Sequence, residues 1–306
     1  MIDKSLLRGV YAPMCTPFID DEINFAGLEK NIEKMNASGL RGYFILGTNG
    51  EYRTLSEEEQ FKIVDVFVKK ASKDKVVMAG TGAESTRETI RLTRKAADRG
   101  AAMASLLMPN FFAKKITDDV MIRHAIAVAD ASPIPVMLYN NPSVSAGVTI
   151  SAKVLDATAG HPNIAGIKDS GKDTWETNVK YDADDFSVLA GSASYFFDLI
   201  RLGGTGGVLS LANVIPDACA ALYRLCVEGK KDEALALRDT IESLNKLISG
   251  SFGVAGVKAA MDIVGFSGGT PRSPLSGITK EEKEGLAIAL KESSLMTSAL
   301  MGSTLP

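Results

Sequence analysis

The stretch NIAGIKDSGKD, residues 163–173, begins as an aliphatic run and breaks off at a lysine. Ile164, Ala165, Gly166 and Ile167 do not alternate with polar residues, the pattern of a parallel strand covered on both faces. Runs of the same kind recur at GVYAPMCTPF (9–18), GYFILG (42–47), VVMAG (76–80), AMASLLM (102–108), IPVMLY (134–139), FSVLA (186–190) and GGVLSL (206–211). With residues 164–168 they make eight.

Helical signals fill the intervals. Ser56-Glu57-Glu58-Glu59 reads as a capping box, Ser85-Thr86-Arg87-Glu88 as a second, and Gly100 as the stop of that second helix. Leu28, Ile32 and Met35 recur at helical spacing, with Gly39 as the expected stop. Eight alternating βα units within roughly 230 residues predict the α/β class and a closed (β/α)₈ TIM barrel. After Gly229 the strand signals cease. Residues 230–248, 253–266 and 279–294 read as helices, so the expected division is a catalytic barrel over 1–228 and a C-terminal helical region over 229–306.

The bulk numbers exclude several classes. Hydrophobic residues at 45% and charged residues at 23% describe an ordinary globular chain. A net charge of -3 with dispersed Lys and Arg gives no stripe for nucleic acid. Three cysteines, Cys15, Cys219 and Cys226, form no disulfide framework, and the N-terminus MIDKSLLRGVYAP lacks the apolar core of a signal peptide. No run is long enough to span a bilayer, so the expectation is a cytoplasmic protein without a membrane partner. The two histidines, His124 and His161, stand far apart with no metal-ligand spacing, so a zinc or iron site is not expected. GGTGG (203–207) precedes a strand instead of linking a strand to a helix, which removes it as a dinucleotide loop.

In a TIM barrel the functional groups gather at the C-terminal ends of the strands. There the sequence offers GTNGE (47–51), Tyr139-Asn140-Asn141-Pro142, Lys168 and AGSAS (190–194). Each alone reads as a turn, a core tyrosine or a solvated lysine, but the strand count puts all of them on one rim. A lysine at the apolar end of a strand loses solvation, which disfavours its charged form. Its neutral amine can attack a ketone and form an imine that acts as an electron sink. A tyrosine beside it can shuttle protons, and the N–H and hydroxyl groups of a Gly-Thr-Asn-Gly turn can hold a carboxylate. Together they describe a 2-oxo acid bound on a lysine.

As an ordered set, YAPMCTPF, GTNGE, VMLYNNP, GIKDSG, VLAGSAS and GGVLSLANV resemble the class I pyruvate aldolase family of dihydrodipicolinate synthase, N-acetylneuraminate lyase and 4-hydroxy-2-oxoglutarate aldolase. The resemblance spans nearly the whole chain. It implies a homo-oligomer, tetramer or dimer, and a lyase that joins pyruvate to an aldehyde or splits the product without a cofactor. It makes Lys168 the Schiff-base lysine, Tyr139 the proton donor and acceptor, and Thr48 a further catalytic group. Thr48 and Asn49 match its carboxylate-binding turn, and the backbones of Gly191 and Val208 match positions near bound pyruvate.

Two departures bear on the substrate. Synthases of this family resemble YNVPxRTG after the fifth strand, where this chain reads YNNPSVSAG and Val144 replaces the arginine that grips the second substrate's carboxylate. The family's tyrosine after the fourth strand, which crosses between subunits, is replaced in MPNFF by Phe111 or Phe112. GTNGE, KDSG and FGVAGVKAAMDIVGFSGG are more similar to 4-hydroxy-2-oxoglutarate aldolase, which makes pyruvate and glyoxylate. The alternatives are dihydrodipicolinate synthase and an aldolase or dehydratase for a 2-keto-3-deoxy sugar acid. Ser145, Ser170 and Asn141 are the polar candidates for the substrate's distal end. A non-catalytic binder of 2-oxo acids is disfavoured, because binding alone needs neither Lys168 nor Tyr139.

Overall fold

The computed structural model describes residues 4–183, 185–293 and 295. Residues 296–306 of the expected helical region lie outside these. The strands are β1 (Gly9–Pro13), β2 (Phe18–Ile19), β3 (Glu22–Ile23), β4 (Gly42–Ile45), β5 (Val76–Gly80), β6 (Met103–Leu107), β7 (Val136–Asn140), β8 (Ile164–Asp169), β9 (Ser187–Ala190) and β10 (Gly206–Val208). The helices are α1 (Phe25–Asn36), α2 (Glu57–Lys70), α3 (Thr86–Asp98), α4 (Asp118–Ala131), α5 (Ala152–Thr158), α6 (Trp175–Asn178), α7 (Phe196–Arg201), α8 (Pro216–Val227), α9 (Lys231–Asn245), α10 (Ser251–Ile263) and α11 (Lys280–Glu292).

Eight of the strands close in the order β1-β10-β9-β8-β7-β6-β5-β4, all pairs parallel, while β2 and β3 form a separate antiparallel hairpin. The alternating helices wrap the outside. This is the (β/α)₈ TIM barrel, with α9, α10 and α11 appended. Seven of the eight barrel strands are buried at every residue, and β5 at all but Gly80, as their unbroken apolar runs require. One group of buried side chains, including Tyr11, Phe44, Met78, Met103 and Leu189, fills the space inside the barrel. A larger one fills the layer between strands and helices.

The helix starts follow their caps. Ser56 accepts from the Glu59 N–H while the Glu59 carboxylate accepts from the Ser56 N–H, so the box at α2 is closed on both sides. At α3, Ser85 caps the Glu88 N–H, but the Glu88 carboxylate turns outward to Arg91 and the box stays half made. Gly100, at φ +94°, follows α3 in the left-handed conformation that glycine tolerates best. Gly39 does not stop α1. That helix ends at Asn36, where the Ser38 hydroxyl donates to the Met35 carbonyl at 2.6 Å.

One register decides the site. Across β7 and β8, Tyr139 pairs with Lys168, and Lys168 in turn pairs with Leu189 of β9. Paired residues of parallel neighbours lie side by side on one face of the sheet. Tyr139 and Lys168 therefore share the inner face at the C-terminal rim.

Candidate active site

The mouth of the barrel is a cavity of about 340 Å³ lined by Thr48, Asn49, Tyr139, Lys168, Gly191 and Val208, together with groups from neighbouring loops. The six residues assigned to catalysis and pyruvate binding from the sequence all line it. The rim is assembled from the ends of β4, β7, β8, β9 and β10, as the strand count requires.

Lys168 is 4% exposed. Its Nζ lies 4.0 Å from the centre of the Tyr139 ring and 4.6 Å from that of Phe44. Among the described residues no carboxylate is paired with it. Burial lowers the ammonium from its ordinary lysine value, against an opposing pull from the Tyr139 phenol. Tyr139 is lowered as well, but by its neighbours and against its burial. Burial alone raises a phenol, but the Lys168 charge and hydrogen bonds with Thr48 and Asn141 outweigh it, and the net direction is downward. An amine moved toward neutrality thus sits beside a phenol moved toward ionisation, and a proton passes between two such groups with little penalty.

The phenol is held from two sides. Asn141 Nδ2 donates to the Tyr139 oxygen at 2.8 Å, and Thr48 Oγ1 lies 3.3 Å from it. Thr48 and Asn49 sit in a tight turn after β4, where Gly50 N–H donates to the Gly47 carbonyl and Glu51 N–H to that of Thr48. Asn49 accepts from the Ser210 hydroxyl at 3.4 Å, while its Nδ2 is buried without a protein partner. A buried amide donor left unpaired costs about 1–3 kcal/mol, and a carboxylate oxygen in the cavity relieves such a cost.

Beyond Lys168 the strand alternates. Asp169 points outward and is fully buried, its carboxylate taken by the Asn140 and Asn178 amides, the Thr174 hydroxyl and the Gly171 N–H. That network fixes the Ser170–Thr174 loop. Gly191 closes against it, donating its N–H to the Asp169 carbonyl at 2.7 Å. A Cβ on Gly191 meets Ser170 Oγ at 1.9 Å, so only glycine fits there.

Of the three polar candidates for the distal end, Asn141 and Ser170 line the cavity. Ser145 does not. It is 1% exposed behind the wall, and its hydroxyl is spent on the Asn141 and Val148 carbonyls. Val144 lines the mouth at 42% exposure. Phe111 and Phe112 lie outside it, stacked edge-to-face at 4.9 Å and exposed at 78% and 69%.

Sequence reading missed one wall. Ser249 and the Gly253–Val254 pair reach the cavity from the C-terminal region, where a five-residue π turn (Lys246–Gly250) leads into α10 and Gly253 breaks the helix at φ 56°, ψ -139°. The glycine in SFGVAG was the only local signal, and it does not say what the kink faces. Asp169 was also missed, although its place one residue past the lysine implies an outward direction. Among the described residues no cluster of His, Cys, Asp or Glu is arranged to hold a metal, and no helix is long and apolar enough to cross a membrane.

A TIM barrel with a lysine inside its mouth, a phenol beside it and an amide-bearing turn opposite defines a class I aldolase type of lyase. The chain belongs to the dihydrodipicolinate synthetase family, whose model matches residues 6–293, and it is a pyruvate-dependent lyase. It is 33% identical over 303 residues to "Probable 4-hydroxy-2-oxoglutarate aldolase, mitochondrial" of Emericella nidulans, covering 96% of this chain and 97% of that one. It is also 33% identical over 293 residues to the 4-hydroxy-tetrahydrodipicolinate synthase of Thermodesulfovibrio yellowstonii, covering 95% and 100%. The solved dihydrodipicolinate synthase of Aquifex aeolicus superposes with a TM-score of 0.87 at 30% identity, over 94% of this chain and 98% of that one. A prophage protein of the family from Escherichia coli K12, solved in complex with pyruvate, superposes with a TM-score of 0.86 at 26% identity, over 94% and 99%.

Proposed function

We propose that Lys168 forms an imine with a 2-oxo acid and that the enzyme cleaves a 4-hydroxy-2-oxo acid into pyruvate and an aldehyde, or joins the two. The observation that carries this is the buried Lys168 amine with no carboxylate partner, 4.0 Å from the Tyr139 ring in the barrel mouth. The neutral Nζ attacks the keto carbon. Tyr139 protonates the departing hydroxyl as water leaves the carbinolamine, giving the protonated imine. In cleavage, the Tyr139 phenolate takes the proton of the 4-hydroxyl and the C3–C4 bond breaks. The electron pair moves into the imine, an aldehyde departs, and the enamine takes a proton at C3. Hydrolysis then releases pyruvate and restores Lys168. Thr48 supports Tyr139 as the catalytic partner at 3.3 Å, and Asn49 offers its free Nδ2 to the substrate carboxylate. The backbones of Gly191 and Val208 complete the pyruvate site.

For the second half of the substrate we favour 4-hydroxy-2-oxoglutarate, split to pyruvate and glyoxylate. The motifs GTNGE, KDSG and FGVAGVKAAMDIVGFSGG support this choice. Among the lining residues Lys168 is the one cation, so no guanidinium grips the carboxylate of aspartate semialdehyde, and the distal carboxylate of 4-hydroxy-2-oxoglutarate is likewise left to neutral donors. Asn141 and Ser170 are the groups placed to meet the distal end. The synthase reading remains the second one, because the chain matches the Thermodesulfovibrio synthase at the same identity as the aldolase. We further place the protein in the cytoplasm as a homo-oligomer, dimer or tetramer. The exposed Phe111–Phe112 pair supports a subunit contact.

The test has two parts. Pyruvate and borohydride together should add a reduced adduct at Lys168 and inactivate the enzyme. Cleavage of 4-hydroxy-2-oxoglutarate should then exceed condensation of pyruvate with aspartate semialdehyde in kcat/KM. Val144→Arg should raise the condensation by about 10–100-fold, the lower part of what a buried carboxylate gains from a charged partner. Condensation by the wild type at least as efficient as cleavage overturns the choice of substrate.

A further inference from the structure

A second lysine lies deeper than Lys168 and has no part in the chemistry above. Lys258 of α10 is 0% exposed. Its Nζ donates to Glu51 Oε1 at 2.7 Å, to the Thr16 carbonyl at 2.8 Å and to the Thr270 carbonyl at 2.7 Å. An ammonium has three N–H groups, and all three are used. The other Glu51 oxygen accepts from the Arg272 N–H at 2.9 Å. Both charges are therefore buried, paired and otherwise hydrogen-bonded, the condition under which such a pair is tolerated.

The placement of Glu51 ties this pair to the site. Glu51 ends the turn that carries Thr48 and Asn49, and its N–H donates to the Thr48 carbonyl at 3.0 Å. It holds φ 53°, a left-handed conformation unusual for a glutamate, and Leu46 on the other side of the turn holds φ 55°. Backbone of this kind persists only where the surroundings over-determine it. Lys258 supplies two of those constraints. It grips the Glu51 carboxylate directly, and it grips the carbonyl of Thr16, whose hydroxyl donates to the Gly50 carbonyl at 2.8 Å. On its own helix Lys258 follows Val254 by four residues, one turn below a residue that lines the cavity. The pair thus joins the wall carrying Thr48 to the wall carrying Val254.

We propose that Glu51 and Lys258 are positioning residues, a buried clamp that holds the Thr48 turn at its working distance from Tyr139. This rests on the Tyr139 relay proposed above. Loosening the clamp displaces Thr48 from the phenol while leaving Lys168, on a different strand, in place. The extent of imine formed at equilibrium with saturating pyruvate and the rate of proton transfer at C3 should then come apart.

Pyruvate alone reads both steps. Borohydride trapping counts the sites that form the imine. Exchange of the pyruvate methyl protons with D₂O reports the next step, in which a C3–H bond of the imine breaks, its proton passes to the Tyr139 relay, and a deuteron returns. Two variants carry the test. Glu51→Asp keeps both charges but shortens the carboxylate by one methylene. Glu51→Gln/Lys258→Met removes both charges and keeps an acceptor for the Arg272 N–H.

Exchange is expressed per trapped site, so unfolded molecules, which take up no label, do not count. Trapping per folded molecule should stay within about 3-fold of the wild type, while exchange per site should fall by about 10–100-fold, as a misplacement near 1 Å implies. Should the double variant not fold, Glu51→Asp decides. Exchange per site within about 3-fold of the wild type overturns the clamp, as does a loss of trapping equal to the loss of exchange. Failure of the wild type to take label at Lys168 strikes the imine reading itself and the clamp with it. Normal labelling with unchanged exchange strikes the clamp alone.

Discussion

Lys168 and Lys258 are both buried, and each lies against an aromatic ring, Tyr139 at 4.0 Å and Phe18 at 4.5 Å. Burial lowers both from the ordinary lysine value. What differs is the rest of the shell. Lys258 meets a carboxylate and two carbonyls, which require an ammonium, whereas Lys168 meets a phenol, two ring faces and a cavity. Burial alone therefore does not make a nucleophile. An amine becomes one where desolvation is left uncompensated and a space for the electrophile remains beside it.

The largest effect should come from removing the uncompensated lysine. Lys168→Ala should abolish pyruvate–borohydride labelling altogether, with no label moving to Lys258 or Lys172. Lys168→Arg should not restore it, because a guanidinium stays protonated. Label found by peptide mapping on Lys258 or Lys172 would invert the assignment of the two lysines.

Next in size is the proton path that Lys258 lacks. Tyr139→Phe keeps the ring under Lys168 and removes the hydroxyl, so trapping should remain detectable. Turnover should fall by about 10²–10⁴-fold, the usual weight of general acid–base catalysis. A variant with near-normal kcat shows that another group carries the protons.

The compensated lysine should answer to stability. Lys258→Met leaves the Glu51 carboxylate buried without its cation, and breaking such a pair costs about 3–5 kcal/mol. Denaturant unfolding of the variant against the wild type measures it. A loss below about 1 kcal/mol, the range of exposed pairs, would place Lys258 among ordinary surface charges despite its burial.

The same contrast explains what could be read in advance. Strand starts were legible because an apolar run marks burial, and the barrel buries every strand. Their ends were overrun where burial continues without pairing. GVYAPMCTPF runs past Pro13 because Met14 and Cys15 are buried in the following loop, and GGVLSL runs past Val208 because Leu209 and Leu211 are buried in a 3₁₀ turn. The Lys168 side of the site was legible because a charge at the end of an apolar run conflicts with its surroundings locally. The Lys258 side was not. Its partner Glu51 lies 207 residues away in sequence, and no local pattern announces a pair made by the closing of the fold. Ser249 and Val254 were hidden for the same reason. Ser145 misled because proximity in sequence to Asn141 does not fix which side of the wall a hydroxyl takes.

The smallest effect is also the one with the opposite sign. Lys168 is held in a site that disfavours its charge, so its folded-state pKa lies below the unfolded value of about 10.4. Between those two values the unfolded chain binds more protons than the folded one, and stability rises with pH through that window. Below the window the wild type bears the full cost of a buried charge that no carboxylate offsets. Lys168→Met fills the same space without a charge, and should therefore stabilise the protein near pH 7, by about 0.5–2 kcal/mol. The gain should shrink as pH rises through the window toward about 10.4, above which the wild-type lysine is neutral in both states. Unfolding of the two proteins at pH 7 and near pH 10 tests the sign. A destabilised Lys168→Met protein at pH 7 means that Lys168, like Lys258, is held by interactions that favour its charge, and the contrast between the two lysines then fails.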